Sequence, residues 1–453
     1  MFKIEDNFLL NNSYAQKLYH DYATKMPIVD FHNHLSAEVI YKNEVYSNIG
    51  QILLEGDHYK WRVLRTFGVP EEEITGNPDY EQLFYKFCAI MPKLIGNPLY
   101  HWMYLELKQY FDTDIYVNEA NARELFVHCN KVIAERQYSP RKLLDMVNVE
   151  SLCTTDDPVD GLKYHILLQA EGYKCLPTFR PDKIINIERS GYFEYMKQLE
   201  TVVGFEINDR QSLIDALESR VKFFADNGCK ISDHALDLVV YNDDFSSVDE
   251  IIKTQDASKL DVYKTFVLSE LAKLYNKYGI AQQYHIGAAR DASQSKFEAL
   301  GPDTGFDYIS DQPFIHNLAS LLSLQDKHEI PKTIIYTLDS IYYESIATMM
   351  GCFQSDYPGK IQLGSGWWFN DQLDGMKKQM EVLSQMGVLS LFVGMVTDSR
   401  SYLSFPRHEY FRRLLCQHIG NMMNDGLITT NIEEIAPIIE DICYNNIKNY
   451  LSL

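Results

Sequence analysis

Ile28-Val29-Asp30-Phe31-His32-Asn33-His34 (IVDFHNH, 28–34) couples a short β-branched run to a pair of histidines. The same grammar recurs along the chain: an apolar run that breaks into polar, charged or histidine residues, followed by a segment of helical period. The further runs are 150–157 (ESLCTTDD), 173–180 (YKCLPTFR), 229–234 (CKISDH), 280–287 (IAQQYHIG), 333–339 (TIIYTLD), 360–368 (KIQLGSGWW) and 391–400 (LFVGMVTDSR). Gly172, Gly228 and Gly279 each stand just before a run, where a helix would have to end. Eight β-then-α units with reactive side chains at the strand ends predict an α/β fold, a (β/α)8 barrel whose site lies at the C-terminal face. A doubly wound nucleotide-binding sheet is disfavoured, because no G-x-G-x-x-G or phosphate-binding loop is present.

At 453 residues the whole chain, 1–453, fits one such barrel domain. The stretch 37–148 between the first two runs is far longer than a crossover needs. Pro98 to Phe111, and Pro140 onward behind Ser139, read as helices, so 37–148 is expected to be a helical insertion over the barrel mouth. The last segment, 431–453, has apolar residues at helical spacing and is expected on the outer wall.

A net charge of −21 without any Lys/Arg cluster longer than the pairs Lys377-Lys378 and Arg412-Arg413 leaves no footprint for nucleic acid. No apolar stretch is long enough to span a bilayer and the first residues do not resemble a secretory signal, so no membrane partner and a cytoplasmic location are expected. The eight cysteines are scattered without a C-x-x-C pair, which fits reduced, buried thiols.

In His32-Asn33-His34 the imidazoles are two residues apart, so on an extended chain they share a face and can bind one metal ion. An H-x-H alone would equally describe two loop histidines. Its place at the end of the first strand, with Asp398 of Thr397-Asp398-Ser399-Arg400 at the end of the eighth, gives the pair a third ligand, since those strands are neighbours in a closed barrel. Arg400 shares the face of Asp398. His285 at the fifth strand is a candidate fourth ligand, with a hydrogen-bonding or plain core role as the alternatives.

Nine motifs in order extend this picture: IVDFHNHLS (28–36), DHYKWR (57–62), CTTDDPVD (153–160), FRPDK (179–183), SDHALD (232–237), HIGAARD (285–291), GPDTGFD (301–307), GSGWWFNDQ (364–372) and GMVTDSRSYLSFPRHEYFRR (394–413). The chain resembles the amidohydrolase superfamily and, within it and over nearly its whole length, the uronate (glucuronate) isomerases. The superfamily's two-metal hydrolases add a lysine at strand four and a histidine at strand six. Here those places carry Ser232-Asp233-His234 and Tyr336-Thr337-Leu338-Asp339, which leaves ligands for one metal. Asp339 stands where the family has asparagine, so its role is open.

The resemblance implies an aldose–ketose isomerase of hexuronates, D-glucuronate to D-fructuronate and D-galacturonate to D-tagaturonate, working through an enediol. Such a reaction needs a base near C2, an electrophile at the developing enediolate and cations for the carboxylate. Asp398 is the expected base, with Arg400 and Tyr59 at the enediolate oxygens. His58, Arg180 and Arg290 are expected on the carboxylate and hydroxyls, Asp233 on substrate or a ligand histidine, and Trp367 and Trp368 at the sugar, one of them as plain core. A structural ion pair is the plain alternative for Arg180, beside Asp182, and for Arg290, beside Asp291. One divalent metal is expected, zinc being the ion a His2Asp set favours, in an enzyme expected to form a homo-oligomer. A mononuclear hydrolase of the same superfamily is the competing activity, and a catalytically dead binding barrel a distant third.

Overall fold

Among the described residues the chain forms nine short strands, β1 Ile28–Asp30, β2 Val149–Cys153, β3 Cys175–Leu176, β4 Ile231–Leu236, β5 Ala281–Ile286, β6 Ala288–Ala289, β7 Tyr308–Ile309, β8 Thr333–Thr337 and β9 Ile361–Leu363, and all but β6 and β7 fall on the first seven predicted runs. The computed structural model describes residues 4–453. Strands β1-β2-β3 pair in parallel, as do β4-β5-β8-β9. Phe179 bridges the two groups, facing Asp156 on one side and Ser232 on the other in parallel register. Strands β6 and β7 form a separate antiparallel ribbon. The protein is therefore α/β with parallel sheets, as the alternating pattern requires.

Strands β4, β5 and β8 are covered on both faces, which their apolar runs anticipate and which parallel sheets require. Buried Gln282 in β5 reaches Gln325 at 3.0 Å and Thr333 at 2.9 Å, so a polar residue inside the sheet keeps its hydrogen bonds. Helices separate the strands, among them Arg210–Asp226 before β4 and Leu260–Tyr278 before β5. Gly172, Gly228 and Gly279 all adopt the left-handed conformation at these stops. Leu373–Met386 is capped by the Gln372 side chain, because Asp371 is committed to Arg407 at 2.6 Å.

The eighth run does not form a regular strand. Gly394 is left-handed (φ 83°) with Ile442 O against the place of a Cβ, and Asp398 is left-handed as well (φ 47°), so extended geometry is broken twice. Three hydrogen bonds still fasten its end to β1 and the turn after it: Thr397 N–H to Asp30 (3.3 Å), Asp398 N–H to His32 O (3.1 Å) and His34 N–H to Ser399 O (2.9 Å).

Between β1 and β2 every regular element is helical, and Pro98–Phe111 begins and ends where its sequence predicts. The last turns of the C-terminal segment do not lie on an outer wall. Ile447, Tyr450 and Leu451 join Val29, Ile231, Ala281 and Ile334 in one buried cluster. Tyr450 OH donates to Lys360 O at 2.7 Å, while Lys332 Nζ donates to Tyr450 O at 2.6 Å. Lys332 and Lys360 immediately precede β8 and β9, so this segment closes the N-terminal ends of the strands, opposite the reactive side chains.

Candidate active site

The strand C-termini open into a cavity of about 430 Å³. His32 and His34 follow β1, Arg180 follows β3, Asp233 lies in β4 and His285 in β5. Trp367 and Trp368 follow β9, Asp398 and Arg400 end the eighth run, and His58 enters from the helix His58–Thr66. All of these line the cavity, as does Arg290 from the loop after β5. Of the expected site residues only Tyr59 lies outside it. Its ring belongs to an adjoining buried pocket of about 10 Å³, shared with His58, Asp398, Arg400 and Arg407.

At the floor, His32 Nε2 and His34 Nε2 approach the same oxygen, Asp398 Oδ1, at 3.2 and 3.0 Å. Two ligands on a tetrahedral zinc with bonds near 2.0 Å would stand about 3.3 Å apart, so the spacing suits a shared cation. Trp367 Nε1 donates to the other oxygen of Asp398 at 2.8 Å, which fixes the plane of the carboxylate. Asp233 lies behind. Its Oδ1 is 2.6 Å from His285 Nδ1, and its Oδ2 is 3.3 Å from Arg180 and 4.0 Å from His32 Nδ1. His285 Nε2 is buried without a hydrogen-bond partner. Two donor groupings result, His32/His34/Asp398 and His32/Asp233/His285, sharing His32.

The charges follow from this packing. Burial pushes Asp398 up, but the hydrogen bonds of His32 and His34 outweigh it and hold its carboxyl well below the usual range. Asp233 is likewise held low, with Arg180 the strongest of the attractions opposing its burial. Burial brings His34 down to about 4, leaving a neutral imidazole suited to ligation, whereas in His32 the carboxylates of Asp233 and Asp398 overcome burial and raise it. Burial and then Arg400 lower His58, and burial keeps the Tyr59 phenol protonated far into the alkaline range.

The arginines differ. Arg180 is locked between Asp182 (2.6 Å) and Asp233. Arg290 rests on Asp237 (3.3 Å), not on its neighbour Asp291, with its guanidinium 5.6 Å from the centre of the Trp368 ring. Both tryptophans are buried in the apolar cluster at the strand ends and both line the cavity. Trp368 is also left-handed (φ 49°), as are Asp291, Asp303 and Asp398 of the same lining. Asp339 does not reach the cavity. Its side chain accepts from Ile341 N–H at 3.0 Å and caps the turn after β8.

Five acids of the lining, Asp156, Asp157, Asp237, Asp303 and Asp307, carry no individual expectation from the sequence although all lie in quoted motifs. Asp303 of GPDTGFD faces Arg400 and Arg290, and Asp156 of CTTDDPVD lines the cavity from the end of β2. Nothing in the sequence distinguishes these from the other aspartates of their motifs. Burial raises Asp156 from 3.8 to about 7, against hydrogen bonds from Thr154 Oγ1 (2.7 Å) and Thr178 N–H (3.0 Å). A carboxyl raised by folding favours the fold while it is protonated. That contribution is complete below about pH 3.8 and is lost as pH rises through about 7. Asp156→Asn cannot ionise, so its melting temperature relative to wild type should rise between pH 5 and pH 8, reflecting on the order of 2–4 kcal/mol. Thermal melts at the two pH values check this, and an unchanged difference would refute it.

Comparison with known proteins places this geometry. Residues 1–451 match the family model described as glucuronate isomerase. The chain is 46% identical to a uronate isomerase of Caldicellulosiruptor bescii, with 99% of this chain and 98% of that one covered. It is 44% identical to a uronate isomerase of Caldanaerobacter subterraneus subsp. tengcongensis, with 99% of both covered. Among solved structures, a uronate isomerase from Thermotoga maritima superposes with a TM-score of 0.93 at 32% identity over 100% of both chains.

Proposed function

The chain belongs to the glucuronate isomerase family, and from that premise we propose how its residues divide the work of a hexuronate isomerase. The enzyme interconverts an aldose hexuronate and its ketose, with D-glucuronate to D-fructuronate and D-galacturonate to D-tagaturonate as the proposed pairs. The observation that carries the residue assignment is the convergence of His32, His34 and Asp398 on one point of a cavity that also presents Arg400.

His32, His34 and Asp398 are the proposed ligands of one divalent ion, zinc by the nature of the donors, with His285 as the candidate fourth through its unpartnered Nε2. The buried nitrogen and the ligand-like spacing fit such an ion. The chemistry it supplies when bound is positive charge against the developing enediolate.

Asp398 takes the C2 proton, the C–H electrons form the C1=C2 bond, and the carbonyl electrons move to O1. Tyr59, whose buried and unpartnered hydroxyl sits in the pocket adjoining the cavity beside Asp398 and Arg400, donates its phenolic proton to O1, and Arg400 stabilises the anion as it forms. O2 then returns its proton to Tyr59 as the C2 carbonyl forms, and Asp398 delivers the held proton to C1. No water is consumed. His58, Arg290, Trp367 and Trp368 are proposed to hold the sugar. Arg180 is proposed to reach it with the edge left free by its two aspartates, and Asp233 to orient His32 and His285.

Around this site we propose a closed (β/α)8 barrel formed as a single domain over 1–453, with residues 37–148 inserted over its mouth. The parallel order of seven strands and the fastening of 397–399 to the β1 end support closure. Among the described residues no helix is long and apolar enough to cross a membrane. A cytoplasmic homo-oligomer acting on a free sugar acid, without nucleic-acid or membrane partners, is the proposed working form.

Metal-loaded protein given D-glucuronate, D-galacturonate or D-glucose in turn should form ketose from the two uronates only. Ketose from none of them would overturn the proposal. Arg400→Lys keeps the charge and loses the planar fork, so it should lower kcat more than it raises KM. Steady-state kinetics decide this, and a pure KM effect would move Arg400 to ground-state binding.

A further inference from the structure

The cavity lining carries nine aspartates against five lysines and arginines, so an incoming uronate anion must find a cation that is not already neutralised. Most are. Arg180 has Asp182 at 2.6 Å, Lys183 has Asp157 at 3.0 Å, and Arg189 is hydrogen-bonded to Asp237. Arg400 differs: among the described residues its ion pair is with Asp303, whose Oδ2 is 3.6 Å from Nη2, while Oδ1 of the same carboxylate is 3.7 Å from Arg290. Both separations are beyond hydrogen-bond length, so the pairing is electrostatic and loosely seated. The Asp303 side chain is also half exposed (53%), unlike Asp233 (1%) or Asp398 (14%).

The backbone delivers Asp303 to this place. It is left-handed (φ 60°) between left-handed Gly301 and Gly305. The loop is fastened to the helix that carries His58: Arg62 donates to Gly305 O and Asp307 O at 2.8 Å, and Arg65 to Thr304 O at 2.6 Å. A Cβ on Gly305 would stand 3.1 Å from the His58 Cβ, so the contact is close and leaves little room for the loop to shift. The motifs at 57–62 and 301–307 thus form one unit that holds a carboxylate opposite two guanidiniums.

We propose that Asp303 is an affinity-setting counter-ion, a resident carboxylate between Arg290 and Arg400 that gives way when the sugar brings its carboxylate to Arg290, leaving Arg400 to the enediolate oxygens. It neutralises the two arginines until a ligand with its own carboxylate arrives, and an uncharged sugar cannot replace it. The inference rests on the hexuronate reading of the cavity.

The test is calorimetric binding of D-gluconate, which has the carboxylate and hydroxyls but no aldehyde, and of uncharged D-glucitol, to metal-loaded wild type, Asp303→Asn and Asp303→Ala. Both variants should bind gluconate about tenfold more tightly than wild type and leave glucitol unchanged, and KM for hexuronates should fall with kcat altered much less. Melting temperatures confirm folding, and the alanine variant guards against a new amide contact. Gluconate binding that is unchanged or weaker in both variants, or absent from all three proteins, would overturn the proposal. A wild type that binds gluconate and shows the predicted ratio, yet forms no ketose from any hexuronate, would fault the isomerase reading alone.

Discussion

Asp398→Asn should lower kcat by about 10³-fold or more, since general-base catalysis alone contributes about 10²–10⁴. The carboxylate has three roles that an amide cannot share. It accepts from both imidazoles through Oδ1, it accepts from Trp367 through Oδ2, and its charge is sustained by those contacts against the cost of burial. An asparagine would present an NH2 group either to Trp367 Nε1 or to the histidines, opposing a donor with a donor or a ligand atom with a non-ligand. Added metal should not restore the rate. A variant that retains its metal and turns over within tenfold of wild type would remove Asp398 as the base.

The second large effect is expected from removing both imidazoles. His32→Ala/His34→Ala should lose the bound ion, from one per chain to none by elemental analysis after gel filtration, and lose measurable isomerase activity with it. Neither histidine belongs to the apolar clusters, and the core beneath them is made by Val29, Phe31 and their neighbours across the sheet. The double variant should therefore keep its far-UV circular dichroism and a cooperative melt. Two ions per wild-type chain, or one retained by the double variant, would shift attention to the grouping of His32, Asp233 and His285.

The periodic elements were legible because local sequence decides them. The strand runs, the glycine stops and the helix at Pro98–Phe111 each follow from burial pattern and backbone preference. The metal-type cluster was legible for a different reason: residues at strand ends converge whenever strands run parallel in sequence order. Long-range packing was not legible. The eighth run reads as a strand by composition, yet two left-handed residues bend it, and Gly394 is forced by Ile442, a residue far along the chain. The C-terminal helix has the same apolar spacing whether it covers a wall or closes an end, and only Lys332 and Lys360 reveal which. Tyr59 looked like a cavity residue because it adjoins His58, but successive helical positions point about 100° apart, and it faces the smaller pocket behind Asp398. Asp303 was hidden because its role depends on a loop fastened to another motif through backbone carbonyls, which leave no mark on the identity of the residues that offer them.

The central claim is that this cavity moves a proton between two carbons of a hexuronate. Proton NMR of metal-loaded protein with D-glucuronate in D2O tests it most directly. The account predicts the signals of the ketose, with the proton at the new C1 centre either carried over from C2 or replaced by deuterium, no cleavage fragments, and no such change with Asp398→Asn. Water-dependent fragments, or an unaltered aldose spectrum with fully metal-loaded protein, would contradict it.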